Sequence, residues 1–393
     1  MLLLAALTAL APFTLQILAP ALPAVARDLA LTQALAQTLL SSSLVAMAVA
    51  TLLWGPLSDL YGRRPVMLAA LALAVAGSVL AALAPGLGLA LAGRLAQAGG
   101  AVAGMVLARA VAQDVWGRER AVAVLGQVTA AMVVAPMLAP ALSGVIVEQL
   151  GWRGVFWAGA LLSALCLALA AGRLAETRPP PAGPAPRGMA AALAETAAGF
   201  AEVARERGFW AYAGFGVASL ATFLFFVGAG PLVMDRAYGL DAQAYGLWFL
   251  GIAAAYMAAN VACGRVTAAL GPDRALRLGA AISLAALVGG LGLGLAGAHH
   301  PTAFILPIMV QSVGAGLAVP NALAGATAAV PGRAGVAAGL MGAAQFLFAG
   351  AAAQVAGMIG HATAVPALSL MLAFLVVGVA LHLALSTSRA SGP

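Results

Sequence analysis

Lysine is absent from this 393-residue chain, and charged residues of every kind make up only 8% of it. A Walker-type phosphate loop and a retinal Schiff base both need a lysine, so ATP hydrolysis by this chain and light-driven pumping are disfavoured from the outset. Cysteine occurs twice, at Cys166 and Cys263, both inside apolar stretches where they act as small apolar residues, and no disulfide framework is indicated. The 12 acids all fall in loops or near the ends of apolar stretches, leaving no paired carboxylates at depth for hydrolysis. His299, His300 and His361 lie near the outer ends of spans, His382 is isolated, and no H-E-x-x-H occurs. The chain therefore does not read as an enzyme, and it calls for no cofactor and no metal.

What fills the space is hydrocarbon: 63% of residues are hydrophobic and the mean hydropathy is +1.03, the composition of a polytopic membrane protein. Twelve stretches are long enough to cross a hydrocarbon core, at roughly 4–26, 34–56, 65–84, 88–111, 121–147, 154–173, 209–233, 244–267, 275–296, 301–322, 335–359 and 363–386. The pI near 10.4 raises nucleic acid as a partner, but the distribution of the basic residues points to membrane topology instead. With both termini in the cytoplasm, the inner loops and tail carry arginines from Arg63 and Arg64 through Arg277, Arg333 and Arg389. The outer loops carry only Arg27, Arg153 and Arg236. The first span lacks the basic start of a secretory signal, and it reads as an uncleaved helix.

One long polar interruption separates six spans from six. It opens with Pro179-Pro180-Pro181 and contains a segment, Met189 to Arg207, with Leu193, Ala197, Phe200, Val203 and Ala204 at helical spacing. The expected organisation is an N-terminal six-helix bundle over 1–173, a linker over 174–208 with a short helix lying on the cytoplasmic membrane surface, and a C-terminal bundle over 209–393. The halves echo each other, because Gly55 to Arg64 follows span 2 and Gly264 to Arg274 follows span 8. Two six-helix repeats suggest a transporter with its substrate near the bilayer midplane.

The segment Gly55-Pro56-Leu57-Ser58-Asp59-Leu60-Tyr61-Gly62-Arg63-Arg64 concentrates charge and helix breakers between two apolar spans. Its glycines allow a tight turn and close helix contact, and Asp59 can accept from a helix N-terminus or from an arginine of the other bundle. The segment resembles the G-x-L-x-D-x-x-G-R-R/K pattern of the major facilitator superfamily, in which the turn is a conformational latch. Gly55, Asp59, Gly62, Arg63, Arg64 and Asp114 are its expected members here. Arg94-Leu95-Ala96-Gln97-Ala98-Gly99-Gly100 in span 4 resembles the family's R-x-x-Q-G pattern, and an arginine about two turns into a span should face a cavity or a partner. Pro136, Pro140 and Gly144 in span 5 resemble the signature of the antiporter branches. Two prolines four apart free backbone carbonyls, which makes a hinge and simple packing equally good readings. With Leu18 to Pro23, Gly228 to Val233, Val319 to Ala322 and Gly342 to Phe346, the chain is similar over its whole length to the Bcr/CflA-type drug-efflux branch. That resemblance implies an all-α fold of two pseudo-symmetric six-helix bundles and a monomer in the bacterial inner membrane. It further implies export of small amphipathic drugs in exchange for protons.

One departure bears on the coupling. Aligning on Pro20 and Pro23 puts Gln16 where that branch carries a proton-coupling acid in span 1, and glutamine cannot titrate. Arg94 then has no intramembrane acid facing it. Either a neutral network with Gln16, Gln97, Gln127, Gln311, Gln345 and Asn321 surrounds it, or an anionic or zwitterionic substrate supplies the charge. The expected cavity set is Gln16, Arg94, Gln97, Gln311, Asn321 and Gln345 with the aromatic residues Phe226 and Tyr256, although an aromatic stripe is more often packing. Coupling would then fall to Asp28, Asp59 or Asp114, to protons carried by the substrate, or to no proton at all. A non-transporting sensor is the remaining rival, disfavoured by the intact turn and the lack of a signalling domain.

Overall fold

The computed structural model describes residues 1–178 and 189–386, and over 118–136 and 189–193 it describes the helix backbone without side chains. Regular structure among the described residues is helical throughout. In chain order the helices are α1 (Leu2–Gln16), α2 (Leu22–Asp28), α3 (Gln33–Tyr61), α4 (Arg63–Ala82), α5 (Leu87–Ala101), α6 (Ala103–Arg173) and α7 (Met189–Ala204). They continue with α8 (Arg207–Tyr238), α9 (Ala242–Leu270), α10 (Pro272–Leu295), α11 (Pro301–Ala328), α12 (Ala334–Ala356) and α13 (Val365–Ser386).

Two features reconcile these helices with the expected spans. A tight helical turn at Ala19–Ala21 joins α1 to α2, with Pro20 and Pro23 near the starts of these short pieces, where a missing N–H costs nothing. The 71-residue α6 is broken at Gly117 (φ 70, ψ 165) and Gly151 (φ 70, ψ 177), so its backbone supplies three successive segments. Eleven stretches among the described residues are long and apolar enough to cross a membrane. One of them, Met137–Arg173, runs through the Gly151 break and joins the end of the fifth expected span to the sixth. The rest of the fifth lies where only backbone is described, and it continues as helix. The chain is a multi-pass, all-α membrane protein.

It divides into two compact units, Met1–Ala198 and Gly199–Pro393. Within each, the same devices recur at corresponding places. Thr32 caps α3 by accepting from the Leu35 N–H at 3.3 Å, and Asp241 caps α9 by accepting from the Ala244 N–H at 2.8 Å. In the first unit α4 and α5 touch backbone to backbone: a Cβ on Gly77 would run into the main chain of Gly93 and Gln97, and one on Gly100 into that of Ala70 and Ala74. In the second unit Gly279 of α10 and Gly314 of α11 each face the other's carbonyl in the same way. Between lipid-like surfaces there is little hydrophobic drive to pull helices together, so close approach through small residues supplies the packing energy.

The linker helix, expected to lie on the cytoplasmic membrane surface, packs on protein at its C-terminal end. Val203 of α7 is fully buried in a cluster with Phe209, Ala213, Ala337 and Met341, Phe200 lies against Gly339, and Glu202 pairs with Arg333. The apolar face over residues 199–204 is thus covered by the start of α12 rather than by lipid. Leu193 lies outside the residues whose side chains are described.

Candidate functional site

The turn between α3 and α4 is built around Gly62, whose backbone (φ 96, ψ 155) lies in a region open in practice to glycine alone. A second reason for glycine comes from Glu176, just beyond α6: a Cβ at position 62 would stand 2.6 Å from its Oε2. Glu176 caps α4. Its Oε1 accepts from the Arg63 N–H at 2.9 Å and from the Thr177 and Arg178 N–H groups at 3.1 Å, and its Oε2 accepts from the Arg64 N–H at 3.1 Å. The first amides of a helix have no partner inside it and carry the positive end of its dipole, so a carboxylate here answers both needs. Burial alone would push the Glu176 carboxyl up, but the four amides together outweigh it and hold it below the ordinary value of 4.5.

Arg63 turns inward from the same turn and is only 9% exposed. Its Nη1 pairs with Asp59 Oδ1 at 2.7 Å and donates to Ser58 Oγ at 2.5 Å, while its Nε pairs with Asp114 Oδ2 at 3.0 Å. Arg178 pairs with the same Asp59 oxygen, Thr177 Oγ1 donates to Asp114 at 3.3 Å, and Arg64 Nη2 donates to the Ala171 carbonyl at 2.9 Å. The structure therefore brings Asp59, Gly62, Arg63, Arg64 and Asp114 together, as the sequence suggested, with every one of these partners inside the first unit. Three expectations change. The acid on the helix N-terminus is Glu176, not Asp59, and the arginines on Asp59 come from its own unit. Gly55 lies within α3 with nothing described within 4 Å of where its Cβ would be, so close helix contact does not explain it. Sequence reasoning missed Ser58, Glu176, Thr177 and Arg178; the signal was an acid and an arginine immediately after span 6.

A second polar centre lies inside the bundle. Arg94 is 1% exposed, and its Nη1 donates to Gln97 Oε1 one turn along α5. Gln97 Nε2 donates to Ser78 Oγ at 2.7 Å, and that hydroxyl donates to the Ala74 carbonyl at 2.7 Å. Gly159 makes the room: a Cβ there would stand 2.5 Å from Gln97 Nε2. Among the described residues, Arg94 Nε and Gln16 Oε1 are both buried without partners, and no hydrogen bond joins Gln16 to Arg94. The pair expected from the spacing is thus present, with Ser78 as the member that spacing could not reveal. Gln127 lies outside the residues whose side chains are described.

The acids proposed for coupling are all engaged. Asp28 Oδ2 pairs with Arg153 at 2.8 Å and accepts from Trp152 Nε1 at 2.9 Å; Arg153 also stacks over the Trp152 ring at 4.2 Å and donates to the Ala84 carbonyl at 3.1 Å. Asp59 and Asp114 share Arg63.

In the second unit the expected cavity residues are spread over separate contacts. Asn321 ties α11 to α9, donating to Thr267 Oγ1 at 3.0 Å and to the Leu317 carbonyl at 2.9 Å, while Gln345 ties α12 to α8 through the Gly216 carbonyl at 3.1 Å. Gln311 is buried, with its own carbonyl accepting from Ser283 at 3.1 Å, and the half-buried Tyr256 accepts from Asn260 at 3.5 Å. Phe226 is fully enclosed by the rings of Tyr245, Phe249 and Phe304, with centroids 6.0 to 6.4 Å away, an arrangement that serves packing. Pro140 and Gly144 of the expected hinge are buried in α6, whose backbone stays helical across them; the side chain of Pro136 lies outside those described.

Comparison with known proteins agrees with this geometry. A family model described as Major Facilitator Superfamily matches residues 4–353. The uncharacterized MFS-type transporter YdgK of Bacillus subtilis is 28% identical over 383 residues, which cover 96% of this chain and 92% of that protein. The multidrug resistance protein MdtL of Escherichia coli is 29% identical over 344 residues, covering 86% of this chain and 83% of the relative. A solved bacterial homologue of the human lysosomal transporter Spinster superposes with a TM-score of 0.76 at 15% identity over 98% of this chain and 96% of that one, a likeness of fold.

Proposed function

The chain belongs to the Major Facilitator Superfamily, and on that premise we propose that it is a secondary active transporter of the bacterial inner membrane that exports small amphipathic compounds by alternating access in exchange for protons. It is a transporter by family and not an enzyme. The observation that carries the reading is the repetition of one set of backbone devices in two compact units, and internal repeats of this kind are what alternating-access carriers are built from. The multidrug resistance relatives match over most of the chain and point to amphipathic drugs as cargo.

In this reading the Gly62 turn is the conformational latch, and both termini lie on its side of the membrane, in the cytoplasm. The protein works as a monomer in the bilayer with protons as its coupling ion. Proton exchange falls to acids whose arginines move. Asp59 and Asp114 are both held by Arg63, so a movement of that one arginine releases both from their shared cation. Pro136, Pro140 and Gly144 bend with the bundle, and Gln97, Gln311, Asn321, Gln345 and Tyr256 support the substrate cavity or its walls.

A second reading has its own observation. Among the described residues no carboxylate faces Arg94, and Gln16 replaces the coupling acid, so the substrate itself can be an anionic or zwitterionic metabolite that brings the missing charge and moves without a proton. Because Arg94 is closed off in this conformation, its contact with substrate requires the bundle to open. Uptake into inverted membrane vesicles, with an imposed pH gradient switched on and off, separates the two. Gradient-dependent uptake of neutral or cationic amphiphiles supports the first, and gradient-independent, saturable uptake of anions supports the second. No saturable uptake across a broad panel would sink both.

A further inference from the structure

We infer that the first unit carries an anion-binding subsite at Arg109 and Gln113, one that takes the carboxylate, sulfonate or phosphate group of an amphiphile. The inference deepens the transport reading and rests on it.

Arg109 is the second arginine of the Leu87–Gly117 span, after Arg94, eight residues before the Gly117 break and so about 12 Å along the helix from it. Unlike Arg94, it is exposed. Among the described residues it makes no hydrogen bond or ion pair, whereas Arg94 at least has Gln97. An exposed arginine at this depth is costly unless its accessible face meets water or a negative charge. The described acids of the unit have no free charge to give it. Asp28 is taken by Arg153, Asp59 and Asp114 by Arg63, and Glu176 by four amides; Glu195 of α7 has a contact of its own, and Glu148 stands just before the Gly151 break, at the far end of the next segment of α6.

The surroundings suit an amphiphile. Gln113 follows one turn later on the same face, exposed and with no hydrogen bond to the described residues, and offers amide donors beside the guanidinium. Met105 and Val106, half exposed one turn in the other direction, give an apolar wall for the rest of the molecule. A planar fork with a neighbouring amide is the donor set that reads an oxyanion, and Arg109 can do so without the opening that Arg94 requires.

The test uses two fluorescent probes of similar shape, anilinonaphthalenesulfonate and the uncharged phenylnaphthylamine, bound to the full chain in phosphatidylcholine nanodiscs. Arg109→Gln is expected to weaken the sulfonate by about tenfold or more, the loss of one charge-assisted contact, and to leave the uncharged probe within about twofold. Arg109→Lys, which keeps the charge and loses the fork, should fall between. Should Arg109→Gln fail to fold, Arg109→Lys and Gln113→Leu carry the comparison. Equal weakening of both probes, or no weakening of the sulfonate, overturns the proposal. Repeating the titration with phosphatidylglycerol present identifies the source of the anion. Competition that disappears in Arg109→Gln assigns the site to a lipid headgroup, and its absence assigns it to a free amphiphile. Flux of the probes in proteoliposomes is read separately: loss of all flux in the unaltered protein refutes the transport reading, while retained flux with unchanged sulfonate affinity in Arg109→Gln refutes only the subsite.

Discussion

The turns at Gly62 and Gly271 share a backbone and differ in everything built upon it. Both glycines adopt nearly the same conformation, φ 96 and ψ 155 against φ 83 and ψ 157, Gly62 joining α3 to α4 and Gly271 joining α9 to α10. Around Gly62, Asp59, Arg63, Asp114 and Arg178 form one ion-paired cluster, and Glu176 caps α4 through backbone amides. At Gly271 a Cβ would meet nothing described within 4 Å, and Asp273 is held by Tyr212 at 2.7 Å, with Arg277 donating to its backbone carbonyl at 3.3 Å. The repeat has kept the geometry that only glycine satisfies, while the charge is concentrated in the first unit. The latch proposed above would therefore have its ion pairs in the first unit.

Substitution of the two glycines should expose the difference most sharply. Alanine at either position incurs about 1–3 kcal/mol of backbone strain, but at Gly62 it also drives into the Glu176 carboxylate. Gly62→Ala is expected to lose most folded protein in a thermal assay by size-exclusion fluorescence, with Gly271→Ala only modestly lowered; equal losses would mean that Glu176 yields without cost. Next in size is Arg63→Gln, which leaves Asp59 and Asp114 without their shared cation. Because Asp59 is half exposed, the expected cost is about 2–3 kcal/mol, read as a lower melting temperature. Arg277→Gln at the second turn should change little, and a comparable drop there would erase the contrast.

The smallest effect is one of pH. Glu176 has a folded-state pKa below its ordinary value of 4.5, so its contribution is fully present above that value and is lost as pH falls through the lower, folded one. Melting temperature should fall more steeply below about pH 4.5 in the unaltered chain than in Glu176→Gln, whose own loss is independent of pH. Parallel curves would show that the cap does not depend on ionisation.

Much of this was legible in the sequence because it is local or periodic. Apolar runs mark the spans, glycine and arginine mark the turns, and Arg94 with Gln97 three residues on reads directly as a pair on one helix face. What stayed hidden joins distant positions. Glu176 meets Arg63 across 113 residues, and Ser78 meets Gln97 from another helix, so neither follows from spacing. Phe226 was placed in the cavity set on residue type, and residue type does not distinguish a cavity wall from a closed ring cluster. Arg109 stands plainly inside span 4, but its significance rests on the described acids of its unit being engaged or remote, which only the contacts reveal.

Counterflow is the sharpest test of alternating access. Proteoliposomes preloaded with an unlabelled amphipathic substrate and diluted into a trace of the labelled compound should accumulate label transiently above equilibrium, because an alternating-access carrier returns loaded faster than empty. Simple equilibration of the label, or no protein-dependent movement at all, would contradict it.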